Sequence, residues 1–208
     1  MDMICRGKRG FVVRMSQRRS RWSLIAGFML VWALVMSGPA AAETIIADRE
    51  LFDTVFPANS VINRDDIPLG EDIRQRIDKR FHFRPRTVSV SVWLARDPGD
   101  GRLLGGVLKT EAEYQQRPVT IAVAMSAEQR IIRATIVAID PAIRPAFEAT
   151  IGIGYIKRYT MLAVRQLSYL AKVLARRDLP SAWASEQIFR QGAVLATILD
   201  ERQAGSRR

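Results

Sequence analysis

The chain of 208 residues carries 32 basic and 21 acidic groups, a formal net charge of +11, with a single cysteine and a single histidine. Seven of the basic groups (Arg6, Lys8, Arg9, Arg14, Arg18, Arg19, Arg21) fall in the first 42 residues, which leaves 25 basic and 20 acidic groups beyond them; that surplus lacks the concentrated footprint of a duplex binder, and no nucleic-acid partner is expected. Cys5 lies in the same opening stretch, so residues 43–208 hold no thiol and only His82, which excludes disulfides, cysteine-held iron–sulfur clusters, thiol-attached haem and His/Cys zinc sites.

The opening segment is basic over residues 6–21 and apolar from Trp22 to Met36, interrupted by Ser23 and Gly27. Ser37-Gly38-Pro39 breaks the run, and Ala40-Ala41-Ala42 supplies the small residues of a signal-peptidase site. At about 15 residues the run falls short of the ~20 needed to span a bilayer. Residues 1–42 therefore read as a signal peptide cleaved before Glu43, with release into the periplasm; an uncleaved signal anchor is the alternative. Arg18-Arg19 reads as ordinary basic charge, because Arg21 stands where a twin-arginine signal has an apolar residue. Cys5 precedes the apolar run, which argues against a lipoprotein anchor.

Residues 43–208 read as one domain. Asp48 is expected to cap a short helix that brings Leu51, Phe52 and Val55 together before Pro57. A second helix is expected over 71–80, with Ile73 and Ile77 inward, and Asp65-Asp66 and Glu71-Asp72 read as loop and helix-start charges. Over 87–94, Val88, Val90, Val92 and Leu94 alternate with Thr87, Ser89, Ser91 and Trp93, the period of a half-buried strand. Asp97-Pro98-Gly99-Asp100-Gly101 turns the chain into a second strand over 103–110, in which Gly105-Gly106 weakens the strand or marks a bulge or a close approach by a ligand or backbone. Strands over 119–125 and 131–139 follow, joined by Ser126-Ala127-Glu128-Gln129.

Beyond Pro141 the pattern becomes helical. A helix over 158–176 aligns Ala163, Leu167, Leu170, Ala171 and Leu174, Pro180 ends that region, and a last helix over 185–201 stacks Ile188, Leu195 and Leu199. The expected fold is α+β: an antiparallel meander of about four strands with flanking helices.

The chemistry-bearing motifs are few. No Gly-x-Ser-x-Gly, P-loop or His-Glu-x-x-His occurs, and His82 in Arg80-Phe81-His82-Phe83-Arg84 reads as a structural or surface residue. Ile151-Gly152-Ile153-Gly154-Tyr155-Ile156-Lys157-Arg158-Tyr159 places two glycines before the predicted long helix. Its amides, with Lys157 and Arg158, suit a phosphate, and its tyrosines suit a flat ring; a plain turn with surface cations is the competing reading. Arg190-Gln191-Gly192-Ala193-Val194-Leu195-Ala196-Thr197, in the last predicted helix, is a second segment suited to an anion; close helix–sheet packing at Gly192 is the competing reading.

Leu51-Phe52-Asp53-Thr54-Val55-Phe56-Pro57-Ala58, Asp100-Gly101-Arg102-Leu103-Leu104-Gly105-Gly106-Val107 and the hairpin over 119–139 together resemble the FMN-binding domain family. These are the extracytoplasmic flavin modules of Rnf- and Nqr-type complexes and of nitrous-oxide-reductase regulators. The resemblance spans most of 48–200 and is one of pattern more than identity. It implies an FMN attached by phosphoester to the threonine of a Ser-Gly-Ala-Thr motif. Here Gly192 and Ala193 match that motif but Val194 stands at the attachment position, and an alternative match at Ser181-Ala182-Trp183-Ala184-Ser185 also lacks the threonine. Valine has no hydroxyl, so no phosphoester forms there.

The resemblance thus implies a divergent member that acts beside a membrane-bound redox or assembly partner. FMN, if bound, is non-covalent; otherwise no cofactor is expected. Gly192, Ala193, Val194, Gly152, Gly154, Lys157 and Arg158 are the candidate flavin contacts. No catalytic residue and no metal ligand is expected. The alternatives are a cofactor-free accessory protein of a membrane complex and a periplasmic module for a small molecule or lipid.

Overall fold

The alternating segments pair as their periodicity demands, and they recruit more strands than the expected four. The computed structural model describes residues 42–206 except 175 and 177; the expected signal peptide, up to residue 41, lies outside them. The strands are β1 (Glu43–Thr44), β2 (Val61–Pro68), β3 (Ser89–Arg96), β4 (Leu103–Tyr114), β5 (Arg117–Ser126), β6 (Ile131–Ile139) and β7 (Gly154–Tyr155). They form one curled antiparallel sheet in the order β1-β6-β5-β4-β3-β2, and β7 also pairs with β6. The fold is α+β, and β3 to β6 are the expected meander. The correction concerns β2 and the two-residue strands β1 and β7.

Strand β2 escaped the period-two reading because Val61-Ile62-Asn63-Arg64-Asp65-Asp66-Ile67-Pro68 buries only Ile67. Asp65 and Asp66, expected in a loop, lie in this edge strand, where charges and Pro68 protect an open side from further pairing. The strand expected over 87–94 runs from Ser89 to Arg96, and Val88 is exposed.

Five α-helices complete the described residues: α1 (Asp48–Val55), α2 (Glu71–Phe81), α3 (Arg144–Thr150), α4 (Val164–Leu174) and α5 (Leu179–Ser206). Ala47, not Asp48, occupies the cap of α1, and Asp48 lies in its first turn. Helix α2 ends as His82 turns left-handed (φ 59°) and its N–H returns to the Asp78 carbonyl. The lone histidine is thus an exposed helix cap.

The helix expected over 158–176 begins only at Val164. Lys157–Tyr159 is a single 3₁₀ turn, and Met161 adopts φ 65°, which interrupts helical propagation. The Gln166 side chain then accepts the Ala163 N–H at 2.8 Å and starts α4. Helix α5 in turn begins earlier than expected, at Leu179: the Asp178 carboxylate accepts the Ser181 N–H at 2.7 Å, and Pro180 sits in the first turn, where its missing N–H costs nothing.

Apolar alternation divides the sheet into two faces. Val119, Ile121, Val123 and Met125 join Val92, Leu94, Leu108 and Ile136 against Ile77 and Phe81 of α2, Leu167 of α4 and the buried middle of α5. On the other face Ala95, Val107, Ala122, Ala124 and Val137 pack against Leu51 of α1 and Phe56. Helix α5 is buried without interruption from Gln191 to Leu199, which is why it reads as apolar on all sides. Small residues let it approach the sheet and α4 closely. A Cβ on Gly106 would lie 3.2 Å from Leu195 Cδ1, and one on Gly192 would lie 3.2 Å from Leu167 Cδ1.

Candidate functional site

Strands β3 and β4 are paired from Arg96–Leu103 to Val92–Leu108, and there the ladder stops. Beyond that point Ser89, Val90 and Ser91 pair with β2 alone, while Lys109, Thr110 and Glu111 pair with β5 alone. Between the diverging strands, the 83–87 segment and α5 lies a cleft of about 820 Å³. Its lining joins apolar surface from Phe83, Val90, Leu108 and Val194 to the side chains of Arg84, Arg86, Gln187, Arg190 and Gln191. Phe83 is fixed there by Phe189 of α5, whose ring centroid is 5.7 Å away.

The cations around this cleft are unequally engaged. Arg84 pairs with Glu71 at 2.5 Å and Arg190 with Glu186 at 2.7 Å. Lys109 turns to the opposite face of the sheet, where it meets Asp48 at 2.5 Å and lies 5.3 Å from the Trp93 ring centroid. Arg86 is exposed and makes no ion pair or hydrogen bond among the described residues. Donation from Gln75, and then from Arg84, holds the Glu71 carboxyl below its ordinary range. Glu111 is the one acidic side chain lining the cleft, and Arg86 is the lining cation without a carboxylate partner among the described residues.

The seven candidate contacts are not gathered in one place. Gly192, Ala193 and Val194 are consecutive in the buried middle of α5; Val194 lines the cleft, while Gly192 packs toward Leu167, Ile131 and Met125. Gly152, in the turn before β7, and Gly154, the first residue of β7, both adopt positive φ, at 82° and 71°. They do not precede the long helix as expected, because α4 starts only at Val164. Lys157 and Arg158 are exposed on the 3₁₀ turn. None of Gly152, Gly154, Lys157 and Arg158 lines the cleft.

Tyr159 cannot serve as a stacking platform. It is buried, and its hydroxyl lies 2.5 Å from Ser185 Oγ, which itself donates to the Ser181 carbonyl at 2.6 Å. Arg84 and Arg86 line the cleft but were not singled out from the sequence; the alternation of aromatic and arginine residues over 80–84 was visible there for Arg84 alone. Their relevance depends on β3 and β4 parting, a tertiary event with no local signature.

Among the described residues no group of three or more His, Cys, Asp or Glu side chains could hold a metal ion, and no helix is long and apolar enough to cross a membrane. The unpaired Arg86 and the apolar side chains around the cleft are the groups that could hold an anionic group joined to an apolar body. No family model, curated protein or solved structure matches this chain.

Proposed function

We propose that the chain is a non-catalytic binding module of an extracytoplasmic, membrane-associated system, and that a phosphorylated flat-ring ligand of the FMN type sits non-covalently between β3 and β4. The observation that carries this reading is the meeting of Val194 with Arg86 and Arg190 in one cleft. Arg86, unpaired among the described residues, is the first candidate for the phosphate, and Arg190 is the second. Phe83, Val90, Leu108 and Val194 supply apolar surface for the ring. A bound flavin would supply electron transfer. The chain's own residues bind it and exclude water. Export and a membrane-bound partner enter this reading through the basic and apolar segment that opens the sequence.

The test is a flavin-fluorescence titration of the full chain, purified without refolding, with FMN and with riboflavin. Saturable quenching that is stronger for FMN and weakened about tenfold by Arg86→Glu supports the reading, a loss in keeping with one charge-assisted phosphate contact. Colourless protein with no saturable change for either flavin overturns it and favours a cofactor-free accessory protein.

A further inference from the structure

We infer that the outer surface of α4, with the turns at both its ends, docks on an anionic lipid bilayer. From residue 157 to 177 the sequence contains six basic residues and no acidic one. Lys157, Arg158, Arg165, Lys172 and Arg176 are all exposed, and none makes an ion pair among the described residues. Arg130 extends the same basic surface, since its guanidinium donates to the Met161 carbonyl at 3.3 Å. The nearest acid along the chain, Asp178, is engaged in capping α5.

The same surface exposes apolar side chains where a globular domain ordinarily hides them. Tyr169 is 73% exposed, Leu179 70%, Met161 61% and Val173 38%. The helical period explains the arrangement. Val164, Leu167, Ala171 and Leu174 face the core, which turns Arg165, Tyr169, Lys172 and Val173 outward on one stripe. Cations interleaved with aromatic and aliphatic groups on one helix face match the boundary between headgroups and acyl chains, with the helix axis parallel to the surface. An acidic protein would satisfy the charges but leave four separated apolar side chains without a common pocket to fill, so the bilayer is the better complement. The apolar run at 22–36 also brings the chain to a membrane during export.

Vesicle co-sedimentation of the full chain tests this, with phosphatidylcholine alone and with phosphatidylcholine mixed with phosphatidylglycerol. Binding is expected to require phosphatidylglycerol and to weaken as salt is raised. The triple variant Arg165→Gln, Lys172→Gln, Arg176→Gln should bind about a hundredfold more weakly, at roughly a fivefold loss per basic residue removed. Tyr169→Ser should weaken binding further without abolishing salt dependence. Circular dichroism and an unchanged FMN titration keep these losses separate from unfolding and from the cleft. Equal binding to both kinds of vesicle, which the opening apolar run alone would produce, overturns the proposal. So does a triple variant that binds like the unaltered chain, and in that case the surface belongs to a protein partner.

Discussion

With its side-chain nitrogen turned to the sheet, Gln191 donates to the Leu108 carbonyl at 3.3 Å, at the last residue pair joining β3 to β4. The same nitrogen donates to the Ile121 carbonyl at 3.2 Å, beside the register shift between Thr120 and Ile121. One buried amide therefore serves two carbonyls where the ladders are irregular. Gln191→Leu keeps the apolar bulk and leaves those carbonyls without this donor. The expected loss is about 1–3 kcal/mol, read as a fall of roughly 3–10 °C in Tm for a domain of this size. An unchanged Tm would mean that the strands part without help from α5.

Two closely packed glycines, one in strand β4 and one in helix α5, should respond differently to alanine. At Gly105 a Cβ would stand 2.1 Å from the Met125 carbonyl oxygen, a backbone atom that cannot yield without displacing β5. Gly105→Ala is expected to cost at least about 3 kcal/mol in urea unfolding. At Gly192 the tightest neighbour is the end of the Leu167 side chain at 3.2 Å, and the helix gains propensity from alanine. Gly192→Ala should change stability by less than about 1 kcal/mol and leave FMN titration unaltered. Loss of FMN binding with retained stability would return Gly192 to the site.

These contrasts mark how far the sequence could be read. The alternation over 119–125 put Val119, Ile121, Val123 and Met125 on one face, and all four are buried there. Gly105 carried a visible signal too, since a glycine pair inside a strand invites a close backbone approach. Strand β2 carried none, because an edge strand with one buried residue loses its period-two pattern. The start of α4 was hidden because the left-handed Met161, whose N–H bonds the Ile131 carbonyl of β6, and the local Gln166 cap, not composition, decide where it begins. The cleft was illegible for a related reason, as it arises where two correctly expected strands cease to pair.

The Asp66 carboxyl is held below its ordinary range, first by the hydroxyl of Ser91 and then by Arg64. A depressed carboxyl stabilises the fold above its unfolded value of 3.8, and that contribution disappears as pH falls through the lower folded value. Ser91→Ala removes the larger cause. The Asp66 titration, followed by carboxyl NMR, should then move upward toward 3.8 while the other carboxyls of the chain stay in place. A midpoint that does not move would assign the depression to Arg64.

Tyr159 behaves in the opposite sense. Burial pushes its hydroxyl above the ordinary 10.0, against the lowering influence of Ser185. The stability that follows is complete below pH 10 and is lost as pH rises through the folded value. Tyr159→Phe should cost about 1 kcal/mol near neutral pH, since Ser185 keeps its bond to the Ser181 carbonyl. It should also flatten the decline of stability above pH 10. A decline as steep as in the unaltered chain would place the alkaline transition on other groups.

Val194 decides whether the flavin resemblance extends to the attachment chemistry. Restoring the hydroxyl with Val194→Thr recreates Gly-Ala-Thr at 192–194, yet the surroundings differ from those of an open attachment segment. Position 194 is 6% exposed in the continuous helix α5, and Thr197 on the same helix already shows what a threonine does there: its hydroxyl donates to the Ala193 carbonyl at 2.9 Å. A threonine at 194 is expected to make the equivalent bond to the Arg190 carbonyl, which occupies its proton and turns the oxygen along the helix. Co-expression of Val194→Thr with a flavin transferase should therefore yield protein whose denatured mass is unmodified, whether or not FMN binds reversibly in the cleft. A flavin-sized increment that survives denaturation would show that α5 opens around residue 194 in solution. The lack of covalent attachment in the unaltered chain would then rest on the missing hydroxyl of residue 194 alone.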